Sequence, residues 1–276
     1  MFDTGVVHTS SIPGRGRTAE DNYLQITFTT PLPSPPPAVL LGLNSLDIGR
    51  EVNPRIVSQV HDIRNDGATI NLRSWDSTLQ YSSGCYWLVP PSTDTDFQYG
   101  HFCTQDDHPC DRPQTQTSRN ITFARSYSAP PAVIVWLDHL DFDKNVNYRV
   151  KTYATDVTEH GFSLHIDTWW DTPLYGAGAF WAAYSADRTD ICSGTFHTNP
   201  SEQHATYFGS TFFRSAKFQQ PPRVFLALNT LDVSACANLR VRLYADSVLS
   251  AGMLWLIHSW DDTVLHWAGG SFIAIA

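Results

Sequence analysis

The chain has 276 residues, of which 42% are hydrophobic and only 16% charged, the composition of a folded protein and not of a disordered one. Its 18 basic residues against 27 acidic ones give a net charge of −9, the wrong balance for nucleic-acid phosphates or an anionic membrane surface. No apolar run approaches the roughly 18–20 residues of a membrane span, and the 17 prolines argue against long helices.

The opening stretch, Met1 to Ser11, lacks the basic and apolar regions of a secretory leader, which predicts a cytoplasmic protein, one exported by another route, or a chain given without its leader. Gly5-Val6-Val7 reads as a first strand and Ile26–Phe28 as a second. The proline-rich residues 31–37 read as an extended loop. Val39, Leu41 and Leu43 alternate with Leu40 and Gly42 in a core strand, whose entry edge follows Pro36-Pro37. A polar loop after Leu46-Asp47 leads to a strand from Arg55. Gly67 opens the next strand, which is expected to end at Trp75, and a last strand carries Tyr86-Trp87. Six strands with turn signals in about 90 residues describe a small antiparallel β-sandwich.

The pattern then recurs twice. Residues 36–78 align without a gap to 130–172 and 221–263, and eleven of the 43 columns are identical in all three. They include the Pro pair, Asp47/Asp141/Asp232, Asn53/Asn147/Asn238, Arg55/Arg149/Arg240, Gly67/Gly161/Gly252 and Trp75/Trp169/Trp260. Chance would supply on the order of 0.1 such columns, so the chain is a triplication. The copies run over residues 1–91, 96–186 and 191–276. The expected fold class is all-β: three tandem six-stranded antiparallel β-sandwich domains.

The second copy shows the repeat most fully: Asn120-Ile-Thr-Phe123, Pro130-Pro-Ala-Val133, Leu140-Asp141, Asn147-Tyr-Arg-Val150, Gly161-Phe162, Thr168-Trp169, Thr172 and Tyr175. This pattern resembles the H-type lectin domain, known from snail agglutinins and the C-terminal domain of discoidins. The resemblance implies a sandwich that assembles as a parallel trimer and binds terminal N-acetylgalactosamine or galactose between protomers. Three copies in one chain then imply a pseudo-threefold intramolecular trimer with clefts between copies. The implied function is a multivalent, non-catalytic lectin whose partners are glycans ending in those sugars on glycoproteins or glycolipids. A homodimer of pseudo-trimers is compatible with it. No nucleic acid, membrane insertion, cofactor or metal is expected.

Galactose-type sugars present a C–H patch on one ring face and an axial hydroxyl, so a site needs an aromatic platform and a fork of charged donors and acceptors. Trp75, Trp169 and Trp260 supply the platform. Six residues later come Tyr81, Tyr175 and His266, expected on a turn. Arg55, Arg149 and Arg240 offer planar donor pairs to adjacent hydroxyls. The family also uses an Asp in the loop before the second strand. Asp111 stands near that place in copy two and Glu202 in copy three, whereas copy one has Arg15-Gly16-Arg17 and no acid until Glu20 and Asp21. A family His beside the Trp is replaced by Asp76, Trp170 and Asp261, Trp170 joining the candidate sugar-binding set. The three sites need not be equivalent.

Other readings of the same residues stand beside these. A repeated Trp can be a core residue of each sandwich. A repeated Arg can tie copies together through a buried ion pair with an Asp. Asp47, Asp141 and Asp232, following a core strand, read as turn acceptors of backbone N–H groups. The five cysteines form no metal pattern; Cys103 and Cys110 are spaced to pair, and free thiols are the plainer reading. Asp141-x-Asp143-x-Asn145 lacks the Gly and Glu of a calcium loop, and the histidines have no zinc spacing. The competing functions are a protein-interaction scaffold and a glycoside hydrolase recruiting Asp171 or Asp262, for which no carboxylate pair stands out.

Overall fold

A computed structural model describes residues 1–32, 38–201, 204–214 and 218–276. Residues 33–37, hence Pro36-Pro37 and most of the proline-rich stretch, and Glu202 lie outside the described residues. Each copy supplies six strands. The first has β1 (Asp3–His8), β2 (Tyr23–Thr27), β3 (Leu40–Ile48), β4 (Arg55–His61), β5 (Gly67–Arg73) and β6 (Gln80–Val89). The second has β7 (Gln98–Cys103), β8 (Gln116–Thr122), β9 (Ala132–Phe142), β10 (Tyr148–Thr155), β11 (Gly161–Asp167) and β12 (Leu174–Tyr184). The third has β13 (Ile191–His197), β14 (Thr206–Phe212), β15 (Arg223–Val233), β16 (Leu239–Leu249), β17 (Gly252–His258) and β18 (Leu265–Ile275). Among the described residues the helical content is two single 3-10 turns, Thr9–Ser11 and Thr104–Asp106.

The strands form three six-stranded antiparallel sheets, and no sheet belongs to one copy. Their orders are β1-β6-β3-β16-β17-β14, β7-β12-β9-β4-β5-β2 and β13-β18-β15-β10-β11-β8. One rule generates all three: the first, sixth and third strands of one copy continue into the fourth, fifth and second of another. Copy one thus joins copy three, copy two joins copy one, and copy three joins copy two.

Within a copy the two three-stranded halves face each other. Phe28 meets Trp87 at 5.9 Å between ring centroids, Phe123 meets Trp181 at 6.1 Å, and Phe213 meets Phe272 at 5.9 Å. Phe272 is therefore the counterpart of Trp87 and Trp181, and each stands across from the glycine of its copy's first strand, Gly194, Gly5 and Gly100. The repeated Gly67, Gly161 and Gly252 are required by backbone approach: a Cβ there would lie 2.2, 2.1 and 2.3 Å from the carbonyl oxygens of Ile26, Ile121 and Thr211. Any side chain would force the paired strands apart.

A second apolar cluster forms where the copies meet. It contains Leu40 and Leu88 of copy one, Ile134 and Trp136 of copy two, and Phe225, Ala227 and Ile273 of copy three. Gly42, Trp136 and Ala227 occupy the same column of the repeat, and here they converge. A Cβ on Gly42 would come within 2.4 Å of the Ala227 Cβ and 2.7 Å of the Trp136 ring. Trp136 is fully buried and donates its indole N–H to the Leu41 carbonyl at 2.9 Å. One large residue fills the space because the two equivalent positions are small, an economy open only to copies free to differ in sequence.

Candidate functional site

Each sheet crosses from one copy to another beside a repeated ion pair. Arg55 lies directly across from Asp141, Arg149 from Asp232 and Arg240 from Asp47. Their Nε–Oδ1 separations are 3.2, 3.4 and 3.5 Å. The expectation that these aspartates are turn acceptors of backbone N–H groups is corrected by this register: they lie within β3, β9 and β15. A bulge is the reason. The pairing of each strand skips one residue, Asn44, Asp138 or Asn229. This resets the alternation, so that Leu43 and Leu46 are both buried in the core although three positions apart. The strand thus runs past the point where its period-two pattern stops, and the Asp turns to the outer face.

The seam holds two further repeated contacts. The Asn53 side-chain oxygen accepts the Lys144 backbone N–H at 3.1 Å, Asn147 accepts that of Ala235 at 3.3 Å, and Asn238 that of Arg50 at 3.2 Å. Thr78, Thr172 and Thr263 donate their hydroxyls to the carbonyls of those same asparagines. Burial pushes the carboxyls of Asp47, Asp141 and Asp232 above the usual carboxylate range, and the facing guanidinium only partly reverses this. Asp141 is pushed up to about 6.

A cleft of ≈ 920 Å³ opens over the first seam. Copy one lines it with Arg55, Trp75, Asp76 and Glu20, and copy two with Asp111, His139, Asp141 and Tyr175. Trp75 tilts against His139 at 5.6 Å. The Tyr175 hydroxyl donates to Asp143 Oδ2 at 2.7 Å, which fixes its ring. Beyond Asp141, among the described residues the Arg55 guanidinium makes long contacts, 3.4 Å to the Asp76 carbonyl and 3.7 Å to its carboxylate. Its outer edge keeps donor capacity for a ligand.

A second cleft, ≈ 440 Å³, lies between copies two and three. Arg149, Trp169 and Trp170 come from copy two, and Asp232, His266, Trp267 and Pro200 from copy three. Trp169 and Trp267 meet at 5.8 Å and 57°. Arg149 is more committed than Arg55: Nη1 donates to Asp171 at 2.6 Å and to Thr172 at 3.1 Å, and the guanidinium sits 5.4 Å from the Trp170 ring.

The third junction is built differently. Arg240 is held by Asp47, by Asp262 at 2.7 Å and by Asp261 at 3.7 Å. Trp260 stacks on His258 of its own copy at 5.7 Å. Across the junction, Arg17 lies over the Tyr81 ring at 5.2 Å, and Arg15 donates to the carbonyls of Gln80 and Tyr81 at 2.6 and 2.8 Å. Where Asp111 brings an acid to the first cleft, this loop brings two guanidinium groups.

The candidate set read within each copy is thus redistributed. Asp111 joins Arg55 and Trp75 of the preceding copy, not Arg149 and Trp169 of its own. Tyr175 and His266 likewise serve clefts whose Arg and Trp come from another copy. Tyr81, Tyr175 and His266 are the second residues of β6, β12 and β18, a correction to the expected turn. The strands before the repeated Trp end two residues earlier than expected, at Arg73, Asp167 and His258. That frees Trp75, Trp169 and Trp260 onto turns, where each is half-buried and none is a core residue. The following residue is left-handed in every copy: Asp76, Trp170 and Asp261 have φ of 49°, 59° and 53°. His139, Trp267, Asp141 and Asp232 are cleft residues that the sequence reading missed. The identity of Asp141 and Asp232 in the repeat was a signal, but their position opposite Arg appears only with the sheet register. All five cysteines are free thiols, Cys110 at the rim of the first cleft.

The H-type lectin domain model matches the chain three times, over residues 24–89, 118–184 and 211–275. The chain belongs to the H-type lectin domain family. As a triple H-type lectin it shares 34% identity over 71 residues with the protein of ATP synthase subunits region ORF 7 of Fuscovulum blasticum. That match spans 26% of this chain and 62% of the relative, under two thirds of its length. Two solved structures of discoidin II from Dictyostelium discoideum, recombinant and wild-type, are each 12% identical to it. The recombinant protein aligns over 54% of this chain and 74% of its own with a TM-score of 0.29, and the wild-type protein over 53% and 72% with 0.28. The family assignment of this H-type lectin rests on the three domain matches.

Proposed function

We propose that this protein is a multivalent lectin that binds terminal N-acetylgalactosamine or galactose in clefts between its copies and catalyses no reaction. The copies, 1–91, 96–186 and 191–276, would stand around a pseudo-threefold axis through Gly42, Trp136 and Ala227. The observation that carries the reading is the first cleft. It brings an aromatic face (Trp75), a guanidinium with unspent donors (Arg55), two carboxylates (Asp111 and Asp141) and a fixed phenol (Tyr175) to one concave surface. An apolar sugar face needs the first of these, and vicinal hydroxyls need the others. Each charged hydrogen bond contributes roughly 1.5–3 kcal/mol, enough for a weak single site. Sites on one rigid body then gain roughly 10²–10⁴ in apparent affinity on a dense glycan surface. The third junction, with Arg17 over Tyr81, is not counted as a site for a neutral sugar.

The hydrolase alternative has less support. Asp171 and Asp262 are bound to Arg149 and Arg240. The Arg240 hydrogen bond holds the Asp262 carboxyl below its ordinary value, opposite to what a general acid requires. Calorimetric titration with N-acetylgalactosamine, with galactose, glucose and mannose alongside, tests the proposal. Binding of the galacto sugars alone is expected. No heat from any of them at millimolar concentration would overturn it in favour of a scaffold.

A further inference from the structure

The two clefts share a frame and differ at one position of it. Across the sheet from Asp141, in the next strand, stands Gly176; across from Asp232 stands Trp267. At the third junction the same place is Ser82, across from Asp47. With Gly176, the Gln105 and His139 side chains pack over the bare backbone, their ends 3.0 and 3.1 Å from where a Gly176 Cβ would be, and both line the first cleft. At the second junction Trp267 makes an indole corner with Trp169 and stands between two separate pockets, this cleft and one of ≈ 340 Å³ lined by Lys151, Tyr153 and Thr230, the counterparts of Val57, Gln59 and His139 in the first cleft. The first cleft is one continuous space of ≈ 920 Å³, the second a slot of ≈ 440 Å³ walled by Trp267. These values lie near the upper and lower ends of the ~300–1,000 Å³ range of small-molecule sites.

Trp170 is a second, independent sign of specialisation. The residue after the repeated Trp is left-handed in every copy, a conformation Asp tolerates and a bulky residue does not. Copies one and three carry Asp there. Copy two carries a Trp, 86% exposed, that lines the second cleft beside Arg149. An exposed indole held in an unfavourable backbone state, with no core contact to offset it, points to a ligand.

Resting on the lectin reading, we propose that the two clefts recognise different parts of a glycan. The second is an aromatic slot for one terminal sugar, held by its apolar face against Trp169, Trp170 and Trp267, with whatever follows projecting into solvent. The first is an extended site that takes a disaccharide, its second sugar lying against Gln105 and His139. The chain then joins two unlike determinants on one rigid body, so a surface displaying both is held more tightly than one displaying either.

The test is calorimetric titration of the full chain with N-acetylgalactosamine and with the disaccharide N-acetylgalactosaminyl-α1,3-galactose. Wild type, Gly176→Trp, Gln105→Ala and Trp267→Ser are compared, each first shown by thermal unfolding to be folded. In wild type the disaccharide is expected to exceed the monosaccharide at least tenfold at one site and to match it at the other. Gly176→Trp or Gln105→Ala should bring the favoured site's ratio towards one with monosaccharide affinity kept. Trp267→Ser should weaken the second site at least tenfold for both sugars. Gln105→Ala decides the first cleft if Gly176→Trp does not fold. Sugar binding with equal ratios at both sites, or ratios untouched by these substitutions, would overturn the inference and leave the lectin reading standing. No binding of either sugar by wild type would overturn both.

Discussion

Gly42 and Trp136 occupy the same column of the repeat, yet one has no side chain because the other fills its space: a Cβ on Gly42 would stand 2.7 Å from the Trp136 ring. The nearest neighbour of that Cβ, at 2.4 Å, is Ala227, the third residue of the column. Gly42→Ala is therefore expected to destabilise the fold by about 1–3 kcal/mol through overpacking. Trp136→Ala should cost about 3–5 kcal/mol through the cavity it leaves. The combination Gly42→Ala with Ala227→Gly should recover much of the first loss, since it moves one methyl group between facing positions. Midpoints of urea unfolding measure all three, and additive losses in the double variant would refute direct packing.

Removing one partner of the inter-copy ion pair should separate structure from binding. The Arg149 side chain is only 9% exposed and faces Asp232, whose Oδ1 accepts no hydrogen bond. Arg149→Ala leaves that half-buried carboxylate without its cation and is expected to cost about 1–3 kcal/mol of stability. Trp169→Ala, on a half-buried turn residue, should abolish binding in the second cleft with an unfolding midpoint close to wild type. A large loss of stability in Trp169→Ala would instead make that Trp a structural residue.

The Asp141 carboxyl, raised to about 6 by burial, gives affinity and stability opposite pH dependences. In the unfolded chain an Asp titrates near 4, so the native state holds this proton more tightly. The corresponding stabilisation is complete below the unfolded value and is lost as pH rises through about 6. Sugar binding at the first cleft should move the other way. Protonation removes an acceptor and releases the orientation of Arg55, so affinity falls as pH drops from 7 to 5. Asp141→Asn should flatten both trends. Titrations at several pH values, with unfolding curves at the same values, check the pair of signs.

Stoichiometry separates the third junction from the other two. With Arg17 over Tyr81 and Arg15 anchored to the backbone beside it, N-acetylgalactosamine is expected to bind twice per chain. Three equivalent sites in calorimetry would show that the acid missing from this loop is not needed.

Much of the architecture was legible because it is local. The Val39–Leu43 alternation, the Gly67 column and the spacing of Trp75, Trp169 and Trp260 each report strand or turn character from neighbouring residues. Asp47 was misread for the same reason: the bulge at Asn44 shifts the phase, so a pattern of period two appears to stop where the strand continues. Trp267 passed unnoticed because its importance comes from Trp169, which lies in another copy.

The sequence by itself determined the triplication, the all-β class, the six strands of each copy, the H-type lectin family and the residue types available for a site. Only the tertiary structure decided which copy's loop meets which copy's arginine. Side-chain alternation and turn chemistry are properties of neighbouring residues, whereas sheet hydrogen bonds join strands far apart in the chain; Arg55 and its partner Asp141 are separated by 86 positions. Three nearly equivalent copies can satisfy the same local rules with several pairings. The register that places Arg opposite Asp, and Gly176 or Trp267 beside it, is selected by burying three unlike surfaces against one another.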